Sequence, residues 1–138
     1  MKAILLCALL VCNLMAIDAH DAAGVISAQT DLKKACKKAR SENKMLLLVV
    51  VKDNCSWCEK MVHETLNDKS IQYELTDMVT VVVDISEKLP DAFKVTNTPA
   101  IFFIDAKKEK SVWETVGFMK KGAFLIDIIS AQERFEVE

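Results

Sequence analysis

Seven consecutive apolar residues, Met45-Leu-Leu-Leu-Val-Val-Val51, run directly into Lys52-Asp-Asn-Cys-Ser-Trp-Cys58. The run is short, unbroken and rich in β-branched residues. That pattern predicts a strand buried on both faces, of the kind found in the middle of a parallel sheet. Such a strand needs layers of structure above and below it, which narrows the fold before any other residue is read.

The flanking segments supply those layers. Leu32, Ala35, Cys36 and Ala39 recur at helical spacing after Thr30 or Asp31, either of which can cap the first turn, and Glu42-Asn43 marks the end. Glu59–Leu66 is a second helix candidate, and an irregular helical stretch spans Ser70–Leu75. Val79–Ile85 reads as another buried strand and Pro90–Phe93 as a short helix. Ala100–Asp105 is a third strand, Ala106–Lys110 a hairpin turn and Ser111–Val116 a fourth strand, antiparallel to the third. Gly117 breaks it, and Lys120–Arg134 closes the chain as an amphipathic helix with Phe124, Leu125, Ile128 and Ile129 inward. This order predicts one α/β domain with a central mixed sheet flanked by helices on both faces. A chain of 138 residues, 51% hydrophobic and 28% charged, is ordinary for one such domain.

The first 19 residues are expected to lie outside that domain, which then spans 20–138. Lys2, an apolar stretch interrupted by Asn13, and small residues ending at Ala19 have the layout of a cleaved secretory signal peptide. The stretch is short for a membrane span. A lipoprotein signal through Cys12 is disfavoured because Val11 stands where a small residue is usual, and an uncleaved anchor is the other alternative. The expected location is therefore periplasmic or secreted. The net charge of −2 gives no argument for a nucleic-acid or anionic-membrane partner. Lys33-Lys34 and Lys37-Lys38 read as a solvated helix face.

Removing the leader leaves three cysteines, Cys36, Cys55 and Cys58, too few for a disulfide framework. Cys36, on an apolar helix face, reads as a small core residue, with a reactive third thiol as the alternative. Cys55 follows the end of the central strand and opens a helix, the edge where open α/β sheets place reactive groups. Free backbone N–H groups and the positive end of the helix dipole favour a thiolate there, and the thiolate is the nucleophile. Cys58 lies one turn on, within reach to resolve a mixed disulfide. Zinc needs about four ligands. Only Cys36, His63 and His20 could join the pair, so no metal is expected, and no cofactor. A purely structural disulfide would close too small a loop to constrain the unfolded chain much.

With Cys55-Ser-Trp-Cys58 after a buried strand, Thr98-Pro99 before Ala100–Asp105, and Val116-Gly117 followed by Lys121-Gly122, the chain resembles the thioredoxin superfamily over about Thr30 to Arg134. The resemblance implies a thioredoxin fold and a cis Thr98–Pro99 bond packed against the cysteines. It implies that Thr98 offers its backbone to an incoming peptide as a strand would. Trp57, Val116, Gly117 and Phe118 are then expected to border the reactive sulfur. Two departures stand out. Asn54 and Ser56-Trp57 occupy positions where thioredoxins proper have tryptophan and glycine-proline. Val49 stands where they carry a buried aspartate that assists proton transfer, leaving that role to water, Lys52 or Glu59.

These readings together predict an exported, monomeric thiol–disulfide oxidoreductase of the small periplasmic thioredoxin-like kind. Cys55 attacks a protein disulfide, Cys58 resolves, and a membrane thiol donor returns the electrons. Reduction is preferred over oxidation of exported chains by family analogy. The competing classes are a thioredoxin-fold copper or thiol carrier, which could draw on Met61 and Met119, and an adaptor with a vestigial pair.

Overall fold

The computed structural model describes residues 16–137; residues 1–15, most of the expected leader, lie outside the described residues. Four strands form the sheet: β1 (Met45–Val51), β2 (Met78–Asp84), β3 (Ala100–Asp105) and β4 (Lys110–Val116). Their order is β2-β1-β3-β4. β1 runs parallel to β2 and antiparallel to β3, which pairs antiparallel with β4. The sheet is mixed, and β1 is central.

All of β1 is buried because its alternate side chains feed two separate cores. Leu47, Val49 and Val51 face one core; Leu46, Leu48 and Val50 face the other. The first core is closed by α1 (Ala19–Val25), α3 (Ser56–Lys60), a π-helical segment (Met61–Leu66), α4 (Lys69–Leu75) and α5 (Lys121–Val137). The second lies beneath α2 (Leu32–Glu42) and a single 3₁₀ turn, Asp91–Phe93. Helices therefore cover both faces, and β3 is buried along its whole length as well.

Four local features differ from the sequence reading. α1 was not anticipated. Asp18 caps it, its side chain accepting from the Asp21 N–H at 2.8 Å, and small Ala22 and Ala23 let it sit close to the core. The helix expected over Glu59–Leu66 starts at Ser56 and then widens into the π-helical segment. The Asn67 N–H bonds to the Val62 carbonyl at 2.9 Å, five residues back. That wider turn brings Met61, Val62, Thr65 and Leu66 inward together. Ile129, expected inward, is 52% exposed. Phe124, Asp127, Ile128 and Ala131 are the buried residues of α5, and Ile129 lies about 100° around the helix from Ile128. Finally, Val112 is an extra residue in β4 opposite the Phe103/Ile104 step, forming a β-bulge. The Arg134 guanidinium donates to the Val112 carbonyl at 3.3 Å and stacks over Trp113 at 4.6 Å.

Asp127 is the acid buried under this corner. Its Oδ2 and the Trp113 indole nitrogen both lack a well-formed hydrogen bond. Burial pushes the Asp127 carboxyl above its ordinary range, and the nearby Trp113 N–H partly opposes this. A raised folded-state pKa means that ionisation of Asp127 costs stability above its unfolded-state pKa. Asp127→Asn should therefore raise Tm by a few degrees at neutral pH. The gain should fade as the pH is lowered and vanish below the unfolded-state value of about 3.9, where the parent carboxyl is protonated in both states. Thermal melts of both proteins across that range measure it.

Candidate functional site

The end of β1 delivers the chain into a tight turn. Asn54 adopts φ 54°, a left-handed conformation that asparagine tolerates better than most residues. Cys55 follows in extended conformation as the N-cap of α3. Its sulfur accepts from the Cys58 N–H at 3.2 Å, so the thiol side chain takes the place that serine, threonine or aspartate fills at other helix starts. The two-residue gap between the cysteines is thus the gap between an N-cap and the third helical residue. One spacing puts Cys58's amide on the first sulfur and its own sulfur within bonding reach.

Cys55 and Cys58 form a disulfide, with Cα atoms 5.2 Å apart. Cys58 is fully buried and Cys55 is 7% exposed, so Cys55 presents the more accessible sulfur. Across from them the Thr98–Pro99 bond is cis. Thr98 Oγ1 lies 3.3 Å from Cys55 Sγ and the Thr98 carbonyl oxygen 3.7 Å away. In the disulfide the sulfur has no proton, so the hydroxyl is the donor; the carbonyl can accept only from a protonated thiol. Gly117, at φ 96°, closes the far side by donating its N–H to the Pro99 carbonyl at 2.8 Å. Only glycine adopts that conformation freely.

Around the disulfide lies an apolar rim. Trp57 and Val116 are more than half exposed. Phe118 stacks on Trp57 with ring centroids 5.8 Å apart. Lys60, which sequence reasoning passed over, places its ammonium 5.5 Å from the Trp57 ring centre and 4.9 Å from that of Phe118. Its signal was available, since Lys60 follows Trp57 by three residues on one helix face.

The remaining candidates sit as follows. Val49 is fully buried in the same core as both cysteines, between Val82 and Ile101 on the neighbouring strands. Lys52 is exposed, and Glu59 Oε1 accepts from the Ile17 N–H at 3.3 Å. Met61 is fully buried and Met119 Sδ accepts from Thr115 Oγ1 at 3.0 Å. His20 and His63 are exposed. Cys36 is half-buried beside Arg40 on the other side of the sheet, and burial pushes its thiol pKa up. Among the described residues no group of three His, Cys, Asp or Glu side chains could hold a metal ion, and no helix is long and apolar enough to cross a membrane.

Residues 32–128 match the family described as the thioredoxin-like domain. The thiol:disulfide interchange protein DsbD of Actinobacillus pleuropneumoniae is 29% identical over 96 residues, covering 64% of this chain and 16% of that protein. Human spermatogenesis-associated protein 20 is 37% identical over 82 residues, covering 59% of this chain and 10% of its own length. The chain thus spans a small fraction of either relative. The solution structure of a thioredoxin from Thermus thermophilus superposes with a TM-score of 0.69 at 19% identity, covering 76% of this chain and 86% of that one. Architecture and family match agree: the fold is the thioredoxin fold, and the chain belongs to the thioredoxin-like domain family.

Proposed function

We propose that the protein is an exported thiol–disulfide oxidoreductase that reduces protein disulfides. The observation that carries this reading is the setting of Cys55: its sulfur caps a helix, takes the Cys58 N–H and a threonine hydroxyl, and lies beside an exposed apolar rim. Those donors stabilise a thiolate more than a thiol. In the dithiol form, Cys55 thiolate attacks one sulfur of a substrate disulfide and expels the other as a thiolate, which takes a proton. Cys58 then loses its proton and attacks Cys55 Sγ. The Cys55–Cys58 disulfide forms, the second substrate thiolate leaves, and two electrons have passed to the substrate.

The substrate segment would lie extended against Thr98, with Trp57, Val116, Gly117 and Phe118 beneath it. A membrane dithiol donor would regenerate the pair, by analogy with the relative DsbD, a thiol:disulfide interchange protein. The protein would act as a monomer outside the cytoplasm. The copper-carrier alternative gains nothing from the positions of Met61 and Met119.

The redox potential of the pair, measured by equilibration with dithiothreitol and glutathione buffers, tests the direction. A value near about −270 mV supports a reductant; one near about −120 mV makes the protein an oxidant of exported chains and overturns the reading. Two variants test the site. Thr98→Val removes a hydrogen bond to the sulfur, and alkylation of Cys55 at neutral pH should slow about threefold to tenfold. Trp57→Ala should raise KM for a protein disulfide about tenfold with little change in kcat, because it removes exposed contact area and leaves both sulfurs in place.

A further inference from the structure

We propose that the mature chain begins at Ile17, freed by hydrolysis of the Ala16–Ile17 bond, and that its new α-ammonium group pairs with the Glu59 carboxylate in the first turn of α3. The inference rests on the export reading above and moves the expected end of the leader from Ala19 to Ala16.

The reason lies in residues 17 and 18. Ile17 is 5% exposed and belongs to the same core as Cys58, Met61 and Val62. Asp18 is the N-cap of α1, and its carbonyl also accepts from the Ala22 N–H at 2.9 Å. A cut after Ala19 would discard both, leaving a hole beside the CxxC helix and α1 without its cap. Ala16, by contrast, is exposed and small, as the residue before a leader-peptidase cut should be, and Leu14 supplies an aliphatic residue two positions earlier.

Hydrolysis adds one water across the amide. Ala16 leaves as a carboxylate and Ile17 gains an amine that takes up a proton at neutral pH. The nitrogen already lies 3.3 Å from Glu59 Oε1. The positive charge therefore appears in contact with a carboxylate, and an ordinary hydrogen bond becomes a charge-assisted one. The nearest other cation on that turn, Lys60, is held over Trp57 and Phe118. Removal of the leader would in this way fasten α1 to the helix that carries both cysteines.

The full chain should be produced with its leader in a bacterial host and the protein outside the cytoplasm purified. N-terminal sequencing is expected to begin Ile-Asp-Ala-His. Exported protein beginning at His20, or at any residue other than Ile17, overturns the proposal and leaves the export reading standing. Uncleaved protein retained inside the cell overturns both. Pairing is read separately in Glu59→Gln, whose processed form should label at its α-amino group about threefold to tenfold faster near neutral pH, since the ammonium loses its partner. An unchanged labelling rate overturns the ion pair.

Discussion

Cys58→Ala is expected to lower turnover on a protein disulfide by on the order of a thousand-fold or more, and to accumulate a covalent adduct between Cys55 and its substrate. The buried Cys58 sulfur is held within bonding distance of Cys55 Sγ. It therefore attacks as a neighbour, at an effective concentration far above that of any thiol supplied from solution. Without it, each mixed disulfide waits for an external thiol at millimolar concentration. Non-reducing electrophoresis of cells expressing the variant should show the adduct, and dithiothreitol should release it. Cys55→Ala should give neither adduct nor turnover, because the remaining sulfur is fully buried. If Cys58→Ala turns over normally, the resolving role is wrong.

Val49→Asp should have the largest effect on stability, a loss on the order of 3 kcal/mol at neutral pH. The site is fully enclosed by apolar neighbours, and Val82 and Ile101 flank it on both sides. A carboxylate there has no donor to replace water, so its folded-state pKa must rise. The sign follows: the folded state binds a proton more tightly than the unfolded state. The loss is then greatest above the folded-state pKa and shrinks as pH falls toward the unfolded value of about 3.9. Thermal melts at neutral and acid pH should show Tm depressed by roughly 10 °C and by distinctly less, respectively. A variant as stable as the parent at neutral pH would mean that water reaches this position.

The parts of the fold that could be read from the sequence were those whose side chains face one way for one reason. β1 is apolar throughout because two cores need it, and its boundaries follow directly from the run Met45–Val51. The cysteine pair was equally plain, since its spacing is the spacing of a cap and the amide it receives. α1 was not legible. Its inward residues are alanines, which carry little hydrophobic signal, and it adjoins a stretch that reads as a leader. The π-helical segment was hidden because its inward positions 61, 62, 65 and 66 also fall on one face of an ordinary α-helix. The error at Ile129 has the opposite cause. A large aliphatic residue was assumed to face inward, whereas the packed stripe of α5 takes Asp127 instead. Lys60 was overlooked although its spacing from Trp57 was readable; its second ring, Phe118, comes from a segment far along the chain, and spacing alone does not bring it near.

The bulge at Val112 has a consequence for how the protein meets other chains. β4 is an outer strand, and an outer strand is a template on which a stranger's backbone can assemble. Here the extra residue breaks the regular spacing of acceptors, and the Arg134 side chain occupies one of them. An extended segment of another chain finds no continuous ladder to extend along that flank. The β4 flank of the sheet is in this way a poor template for edge-to-edge aggregation.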